Sequence, residues 1–450
     1  MLHMKNLSQL TQQLIASAKS AGADAADALA VDGTSLSVEM RDGKLEQAER
    51  SEGVEIGLRV LVGKRQACVS ASDIQDSTIA EMGERAVAMA RLAPEDPYVG
   101  LADADQLSSD LDSSELELAE EEGEPDPASL QSLAAEAEAA ALEFEGISQV
   151  QTATAGHSRH NIHLAASNGF SGGYNRTGNS LYCVAIAGEG TAMERDYFGE
   201  SRIHRGDLPD AIEVGRIAAE RAVSRQGARR APTGTFPVLY DERISSGLIG
   251  HLLSAANGSA ISRGSSWLQD RLGKQVLPAH LSITENPHRP RISGSRMFDA
   301  EGLATKKRTI VENGVLQGWT LDLATARKLG MESTANAARG TSAPPSPSNT
   351  NIALTQSDVS QEQLLKDMGT GLFVTSLIGS SINPTTGDYS RGASGFWVEN
   401  GEITHPVNEC TIAGNLLDML MRIQPANDAR THLAHVVPSL LVEGLTIAGE

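Results

Sequence analysis

One run of residues indicates the architecture of the C-terminal half of the chain: Gly387-Asp388-Tyr389-Ser390-Arg391-Gly392-Ala393-Ser394-Gly395-Phe396-Trp397-Val398-Glu399-Asn400-Gly401-Glu402-Ile403. It contains Asn400-Gly401, the dipeptide most typical of a two-residue β-hairpin turn. Gly387-Asp388 and, upstream, Asn313-Gly314 are turn signals of the same kind between short apolar runs. We therefore predict that residues 229–450 form a mainly antiparallel β domain.

The N-terminal half mixes strand and helix patterns. Alternating apolar residues lead up to Asp42-Gly43 and to Gly63, which predicts antiparallel strands, and further strands are expected from Ile147 to Ile203. Apolar residues at helical spacing predict helices over residues 7–21, 77–93, 130–144 and 210–224. The expected fold is α+β, with an N-terminal α/β domain at 1–228, a candidate linker at 225–234, and a C-terminal domain that begins with a strand at 236–240 and a helix at 242–257.

Composition limits the function. The formal net charge is −21, which opposes binding to nucleic acid or to an anionic membrane. The sequence has three cysteines, an odd number, and they lie far apart at Cys68, Cys183 and Cys410. This argues against a disulfide framework. The first twenty residues lack the apolar stretch of a signal peptide, and a membrane-spanning run is not found. We expect a cytoplasmic protein.

Two segments are predicted to be loops. Residues 103–126 are rich in Asp and Glu, and clustered like charges resist burial, so a solvated loop is expected there. Residues 341–350 contain Pro344, Pro345 and Pro347, which favours a surface loop over a strand.

The usual signatures of nucleophilic or nucleotide-binding sites are missing from the sequence. His157, His160 and His163 lie close together, but on a strand a spacing of three places successive rings on opposite faces. His432 and His435 could share a helix face, yet two histidines without a third ligand are an incomplete zinc site.

The predicted helix at 242–257 carries the first sign of a family. Residues 242–251 read Glu-Arg-Ile-Ser-Ser-Gly-Leu-Ile-Gly-His, which resembles the helix of the TldD group that carries His-Glu-x-x-x-His. In that group the two histidines bind zinc and the glutamate is the general base. Aligned on Gly250-His251, this chain keeps the last histidine as His251 and has Ser246 and Gly247 where the first histidine and the glutamate stand. His251 could then be a structural or interface histidine.

The run at 387–403 is similar to the long signature of the PmbA/TldE branch of the TldD/PmbA metalloprotease family, also called the modulator of DNA gyrase family. Shorter matches to that branch lie at 193–197, 272–278, 298–302, 326–330 and 411–416. Within the signature, Asp388, Tyr389, Arg391 and Phe396 are candidate contacts to a peptide substrate. Alternatively, they form a tight hairpin with a buried aromatic ring and an Asp-Arg pair.

The resemblance implies a dimer around an internal cavity, in which a TldD-type paralogue supplies zinc and this chain completes the chamber for extended peptides such as microcin-type precursors and antitoxins. The third zinc ligand of TldD is a cysteine near the C-terminus, whereas residues 427–450 contain none and Cys410 lies too early. We therefore expect no metal and no cofactor in this chain. Two alternatives stay open: a homodimeric peptide-binding module, or a stand-alone metallopeptidase rebuilt from His251 with His432 or His435.

Overall fold

The computed structural model describes residues 4–449 and has the predicted α+β fold. The N-terminal elements begin and end close to the predicted bounds. They are the helices α1 (Met4–Ser20), α2 (Asp76–Leu92), α3 (Pro127–Leu142) and α4 (Ala211–Ser224), and the strands β1 (Ala25–Arg41), β2 (Lys44–Val62), β3 (Arg65–Ala71), β4 (Ile147–Ala166), β5 (Ser171–Ala187) and β6 (Glu194–Arg202).

The six N-terminal strands form one antiparallel sheet in the order β3-β2-β1-β4-β5-β6. All four helices pack on the same face of it. The even-numbered residues of β1 point to that face: Ala26, Ala28 and Ala30 pack with α1 and α2, whereas Leu36 and Val38 pack with α3 and α4. Part of the opposite face of the sheet contacts the C-terminal half.

The C-terminal half is mainly β, as predicted. Its helices are α5 (Glu242–Ala255), α6 (Gly258–Ser262), α7 (Leu323–Leu329), α8 (Gln361–Met368) and α9 (Leu416–Leu420). Its strands are β7 (Arg229–Arg230), β8 (Gly234–Tyr240), β9 (Ile283–Glu285), β10 (Arg308–Glu312), β11 (Val315–Leu316), β12 (Ala337–Ala338), β13 (Ser346–Pro347), β14 (Ile352–Leu354), β15 (Gly371–Ile382), β16 (Asp388–Glu399), β17 (Glu402–Asn415), β18 (Ile423–Pro425), β19 (His435–Val436) and β20 (Leu440–Ala448).

The main C-terminal sheet runs β18-β20-β8-β15-β16-β17-β7, and β20 also pairs with β17. That second pairing closes β8, β15, β16, β17 and β20 into a barrel-like ring. The predicted turn at Asn400-Gly401 joins β16 to β17, with positive φ at both residues. Helix α5 packs against this ring through the largest hydrophobic cluster of the molecule.

The acidic segment at 103–126 was predicted to be a solvated loop, and this prediction was wrong for its central part. Leu116 and Leu118 are buried, and Glu120 is only 2% exposed. The backbone of the segment bonds both halves of the chain: the Leu118 carbonyl accepts from the Thr177 N–H, and the Leu116 carbonyl accepts from the Arg291 N–H. The repulsion expected among these carboxylates is offset by arginines from elsewhere in the sequence.

The segment at 341–350 was predicted to be a surface loop, and this holds only for part of it, because Ser342, Ala343 and Pro344 are exposed whereas other positions are not. Ser346–Pro347 forms the short strand β13, and Thr341, Pro347 and Thr350 are buried. Pro347 is tolerated because this two-stranded ladder is only two residues long. Thr341 lies directly against Gly57 of the N-terminal sheet, so the segment is part of the contact between the two halves.

The boundary predicted after residue 228 stays a prediction. The candidate linker at 225–234 is not free of structure, because β7 within it pairs in parallel with β17. Among the helices of residues 4–449, none is long and apolar enough to cross a membrane.

Candidate functional site

Helix α5 has a buried face and a partly open face. It begins at the N-cap Asp241, whose side chain accepts a hydrogen bond from the Arg243 N–H. One face, which includes Leu248, Ile249 and Leu252, packs into the core. The other face presents residues at helical spacing that are only partly buried: Arg243, Ser246, Gly247, Gly250 and His251. All three positions of the altered zinc motif therefore lie on the open side of the helix.

His251 is held by the signature strand β16. Its ring meets that of Tyr389 edge to face, with centroids 6.0 Å apart. Burial lowers the pKa of His251, and the positive charge of Arg391 lowers it further. The imidazole is therefore neutral at pH 7. Its Nε2 atom is buried and finds no hydrogen-bond partner among residues 4–449.

These residues do not fit a zinc ion. A catalytic zinc site uses three protein ligands, and here a single imidazole stands beside a guanidinium cation, with serine and glycine at the other two motif positions. Cys410 is buried in the core, its Sγ lies 3.2 Å from the Ala393 carbonyl oxygen, and burial raises its pKa to about 11, so it is a protonated thiol. Within residues 4–449, three or more His, Cys, Asp or Glu side chains do not converge anywhere in a way that could hold a metal.

Two glycines leave space beside His251. A Cβ atom added at Gly247 or at Gly250 would meet no heavy atom within 4 Å. A glycine inside a helix costs about 1 kcal/mol relative to alanine. The packing of the described chain therefore gives no reason for glycine at either position. The consequence is a flat helix surface that another backbone could approach closely.

The structure brings together only part of the predicted peptide contacts. Tyr389 and Arg391 lie with His251, and Arg391 donates from Nε to the Gly379 carbonyl. Asp388 lies at the exposed start of β16, where it accepts from Thr386 and Asn415 rather than pairing with Arg391. Phe396 stacks on Phe373 in a separate hydrophobic cluster against α8.

Two charged networks lie at the N-terminal end of α5, and neither could be identified from the sequence. Arg430 bridges Glu242 of α5 and Glu200 of β6, with N–O distances of 2.6 and 2.9 Å. Asp196 likewise joins Arg225 to Arg243, at 3.3 and 3.4 Å. Both networks connect the N-terminal sheet to α5, through partners more than 25 residues apart in sequence. Asp196 lay in a stretch matched to the family at 193–197, and Glu242 and Arg243 lay in the motif stretch at 242–251, whereas Glu200, Arg225 and Arg430 lay in neither.

The two networks border a cleft of about 400 Å³ between the N-terminal sheet and a C-terminal wall formed by Arg243 of α5, Arg291, Ser293, Arg430 and residues 432–434. Arginines line much of it, and Tyr182 and Tyr197 on its sheet side are 37% and 56% exposed. Arg221 is placed over the ring of Phe198, and burial lowers its pKa, as does the neighbouring Arg243. A cleft with guanidinium groups and exposed rings suits an extended chain that carries acidic or apolar side chains.

The other histidines lie apart from one another. His157 and His163 face the helices, whereas His160 lies on the opposite side of the sheet beside Gly33, so the prediction of opposite faces is confirmed. His432 contacts Glu200 in the cleft, and His435 belongs to β19. The alternative of a rebuilt zinc site has no assembled ligand set within residues 4–449.

Comparisons with known proteins agree with this architecture. Models of the PmbA/TldA metallopeptidase family match the chain over residues 26–90 (domain 1), 120–226 (central domain) and 233–449 (C-terminal domain). The chain is 38% identical to the Metalloprotease PmbA of Escherichia coli O157:H7 over 438 residues, which are 97% of this chain and 94% of the relative. It is also 38% identical to a Metalloprotease PmbA homolog of Haemophilus influenzae over 418 residues, 92% and 90% of the two chains.

Solved structures show the same fold. A crystal structure from Bacteroides thetaiotaomicron, of a protein described as a candidate modulator of DNA gyrase, matches with a TM-score of 0.91 and 27% identity over 100% of both chains. The structure of TldE from Thermococcus kodakarensis matches with a TM-score of 0.83 and 20% identity, over 98% of this chain and 100% of that one. The predicted family is confirmed: the chain belongs to the PmbA/TldD metallopeptidase family.

Proposed function

We propose that this chain is the non-catalytic, PmbA/TldE-type subunit of a cytoplasmic metallopeptidase, and that a zinc-bearing TldD-type paralogue completes the enzyme. The observation that carries the proposal is the state of the motif on α5. His251 is present, but Gly247 provides no general base, and Ser246 provides no second imidazole. The cation of Arg391 beside His251 would further oppose a divalent ion.

The same helix supports a role in holding substrate. Gly247 and Gly250 allow a backbone to come close to α5, beside the neutral imidazole of His251. Arg391 and Asp388 are accessible for polar contacts, while Tyr389 and Phe396 fix the strand that carries them. The substrates would be unfolded or extended peptides, because an extended chain presents free backbone groups that can lie along the glycines of this helix.

A peptidase assay tests the proposal. The purified chain, its TldD-type paralogue from the same genome, and the mixture are each incubated with a fluorescently labelled disordered peptide. We expect no hydrolysis by this chain alone, hydrolysis by the mixture, and loss of that hydrolysis when a chelator is added. Hydrolysis by the single chain that a chelator abolishes would overturn the proposal.

A matched pair of variants tests the helix surface. Gly247→Leu fills the space beside His251 and should lower hydrolysis by the mixture about tenfold or more, since it displaces an approaching backbone. Gly318→Leu adds the same bulk at another position where a Cβ meets no heavy atom within 4 Å, and it should leave the rate unchanged. Equal rates for both variants would remove α5 from the substrate path. If peptide binds the chain but the paralogue adds no hydrolysis, the homodimeric binding module is the better description.

A further inference from the structure

A second cavity, separate from α5, lies between the open face of the N-terminal sheet and the C-terminal half. It measures about 320 Å³. Its walls are mostly apolar. The large apolar side chains come from β1, β4, β5 and the loop at 296–300: Leu29, Val31, Ile162, Leu164, Tyr174 and Phe298. Pockets of this size that are lined by apolar side chains and a few polar groups are typical of small-ligand sites.

Two arginines line the same cavity and have unused donors. Arg339 has a side chain that is 1% exposed, and its Nη2 finds no acceptor among residues 4–449. The buried Nε of Arg296 likewise finds none in that part of the chain, and Arg296 Nη2 reaches only the Ser348 carbonyl at 3.4 Å. Leaving buried charged donors without acceptors is costly unless another group supplies them.

The carboxylates around the cavity leave some donors of its arginines without an acceptor among residues 4–449. Asp27 is shared by Arg59 and Arg339, so one carboxylate serves two guanidinium groups. Arg296 forms no ion pair with any residue from 4 to 449. Burial lowers the pKa of Arg296 and the charge of Asp299 opposes that shift, but the oxygens of Asp299 accept from backbone N–H groups, among them that of Ala337 at 3.0 Å.

We propose that this cavity binds a carboxylate attached to an apolar group, with Arg296 and Arg339 donating to the carboxylate and the apolar walls enclosing the side chain. The planar guanidinium matches a carboxylate in geometry and charge. The cavity volume has room for about one side chain and its carboxylate rather than for a longer ligand. Two carboxylates also line the cavity: Glu55 lies at its exposed mouth and bonds to Thr341, and the oxygens of Asp299 accept from backbone N–H groups.

A carboxylate attached to an apolar group occurs in two kinds of ligand: the C-terminus of a peptide, and a free small acid. Val31 and Glu55 also line a neighbouring open groove of about 640 Å³ along β1 and β2. Gly53 leaves open space in that groove, whereas the ring of His160 lies over Gly33. The open side along β2 suits an extended chain that ends in the cavity. The peptide source rests on the proposed function, whereas the small-acid source does not.

Isothermal titration of the isolated chain tests the proposal at pH 7. The probes are N-acetyl-L-leucine, its amide, and a hexapeptide that ends in leucine, as the free acid and as the amide. We expect each acid to bind about tenfold or more tightly than its amide, because charge-assisted hydrogen bonds to the carboxylate are lost. If the peptide acid binds much more tightly than N-acetyl-L-leucine, the source is a peptide C-terminus. Similar affinities of the two indicate a free acid.

Three variants distinguish a loss of ligand binding from a loss of folding. Arg296→Met should weaken binding of both acids about tenfold or more, whereas Arg289→Met, which removes a nearby arginine bonded to the Leu433 carbonyl, should not. Val31→Trp fills the cavity with both arginines intact and should also abolish binding. Equal binding of acids and amides, no binding at millimolar concentration, or full binding by Arg296→Met would overturn the proposal. The titration needs neither zinc nor a partner, so its outcome is separate from that of the peptidase assay.

Discussion

The ring of His251 on α5 meets the ring of Tyr389 on β16 edge to face, at an interplanar angle of 69°. The remnant of the zinc motif is therefore packed against the strand that carries the family signature. Tyr389 is 2% exposed, and its hydroxyl faces that of Tyr240 without the geometry of a hydrogen bond. Since the tyrosine is fixed in the core, it fixes the position of His251 as well.

We expect the ring of Tyr389, and not its hydroxyl, to stabilise the folded chain. Tyr389→Ala removes a buried aromatic side chain and should lower the free energy of unfolding by about 3 kcal/mol or more. Tyr389→Phe keeps the ring and should change it by less than about 1 kcal/mol. Urea unfolding checks both values. Equal losses for the two variants would mean that the hydroxyl makes a bond that we have not identified.

Substitution of alanine for two glycines of β2 should have different effects on stability. A Cβ at Gly57 would lie 2.2 Å from the Thr341 carbonyl oxygen, so Gly57→Ala should destabilise the chain by about 2 kcal/mol or more. A Cβ at Gly53 meets no heavy atom within 4 Å, and Gly53→Ala should be neutral or slightly stabilising. Thermal unfolding of the two variants provides the comparison. A neutral Gly57→Ala would contradict the close contact between the two halves.

Glu120 should be the critical carboxylate of the acidic segment. It accepts from Arg205 at 2.6 Å, lies 3.6 Å from His157, and also accepts from Asn179. Glu120→Gln leaves the partly exposed Arg205 without its partner and should cost about 2 to 4 kcal/mol in unfolding free energy. Glu121→Gln, at an exposed neighbouring position, should cost less than about 0.5 kcal/mol. Similar small losses in both would restore the solvated-loop interpretation.

Glu301 should make the protein less stable as the pH rises. Burial raises its pKa well above the ordinary 4.5, and the charges of Asp299 and Asp322 add to this. The folded state then binds a proton that the unfolded state releases, so stability falls as the pH rises from about 4.5 through the folded pKa, by up to about 1.4 kcal/mol per pH unit. Glu301→Gln should flatten that slope in urea unfolding between about pH 5 and about pH 8. An unchanged slope would show that Glu301 is ionised in the folded chain.

Much of the fold could be predicted from local patterns. Alternation ending at Asp42-Gly43 correctly indicated the β1–β2 hairpin, and leucines at helical spacing indicated α1. The errors occurred where distant residues decide the outcome. Glu120 is buried because Arg205 and Asn179 reach it, and 341–350 is packed because the N-terminal sheet lies against it. Neither contact leaves a periodic signal in the sequence.

Only the part of the candidate site that resembles the family's zinc motif could be predicted from the sequence. Ser246, Gly247 and His251 were identified by alignment to that motif, and the structure places all three on one side of α5. The cleft beside Arg430 and the cavity with Arg296 were missed, because both are built from residues of the two halves that are far apart in the chain. Single arginines at such spacings resemble ordinary surface charges in the sequence.

Zinc content tests the central claim most directly. Elemental analysis is made on the purified chain alone and on the same chain co-purified with its TldD-type paralogue. We expect less than about a tenth of an equivalent of zinc in the single chain and about one equivalent in the complex, because His251 lacks two ligand partners. A full equivalent in the single chain would contradict it, and the missing ligands would then have to be sought around His251.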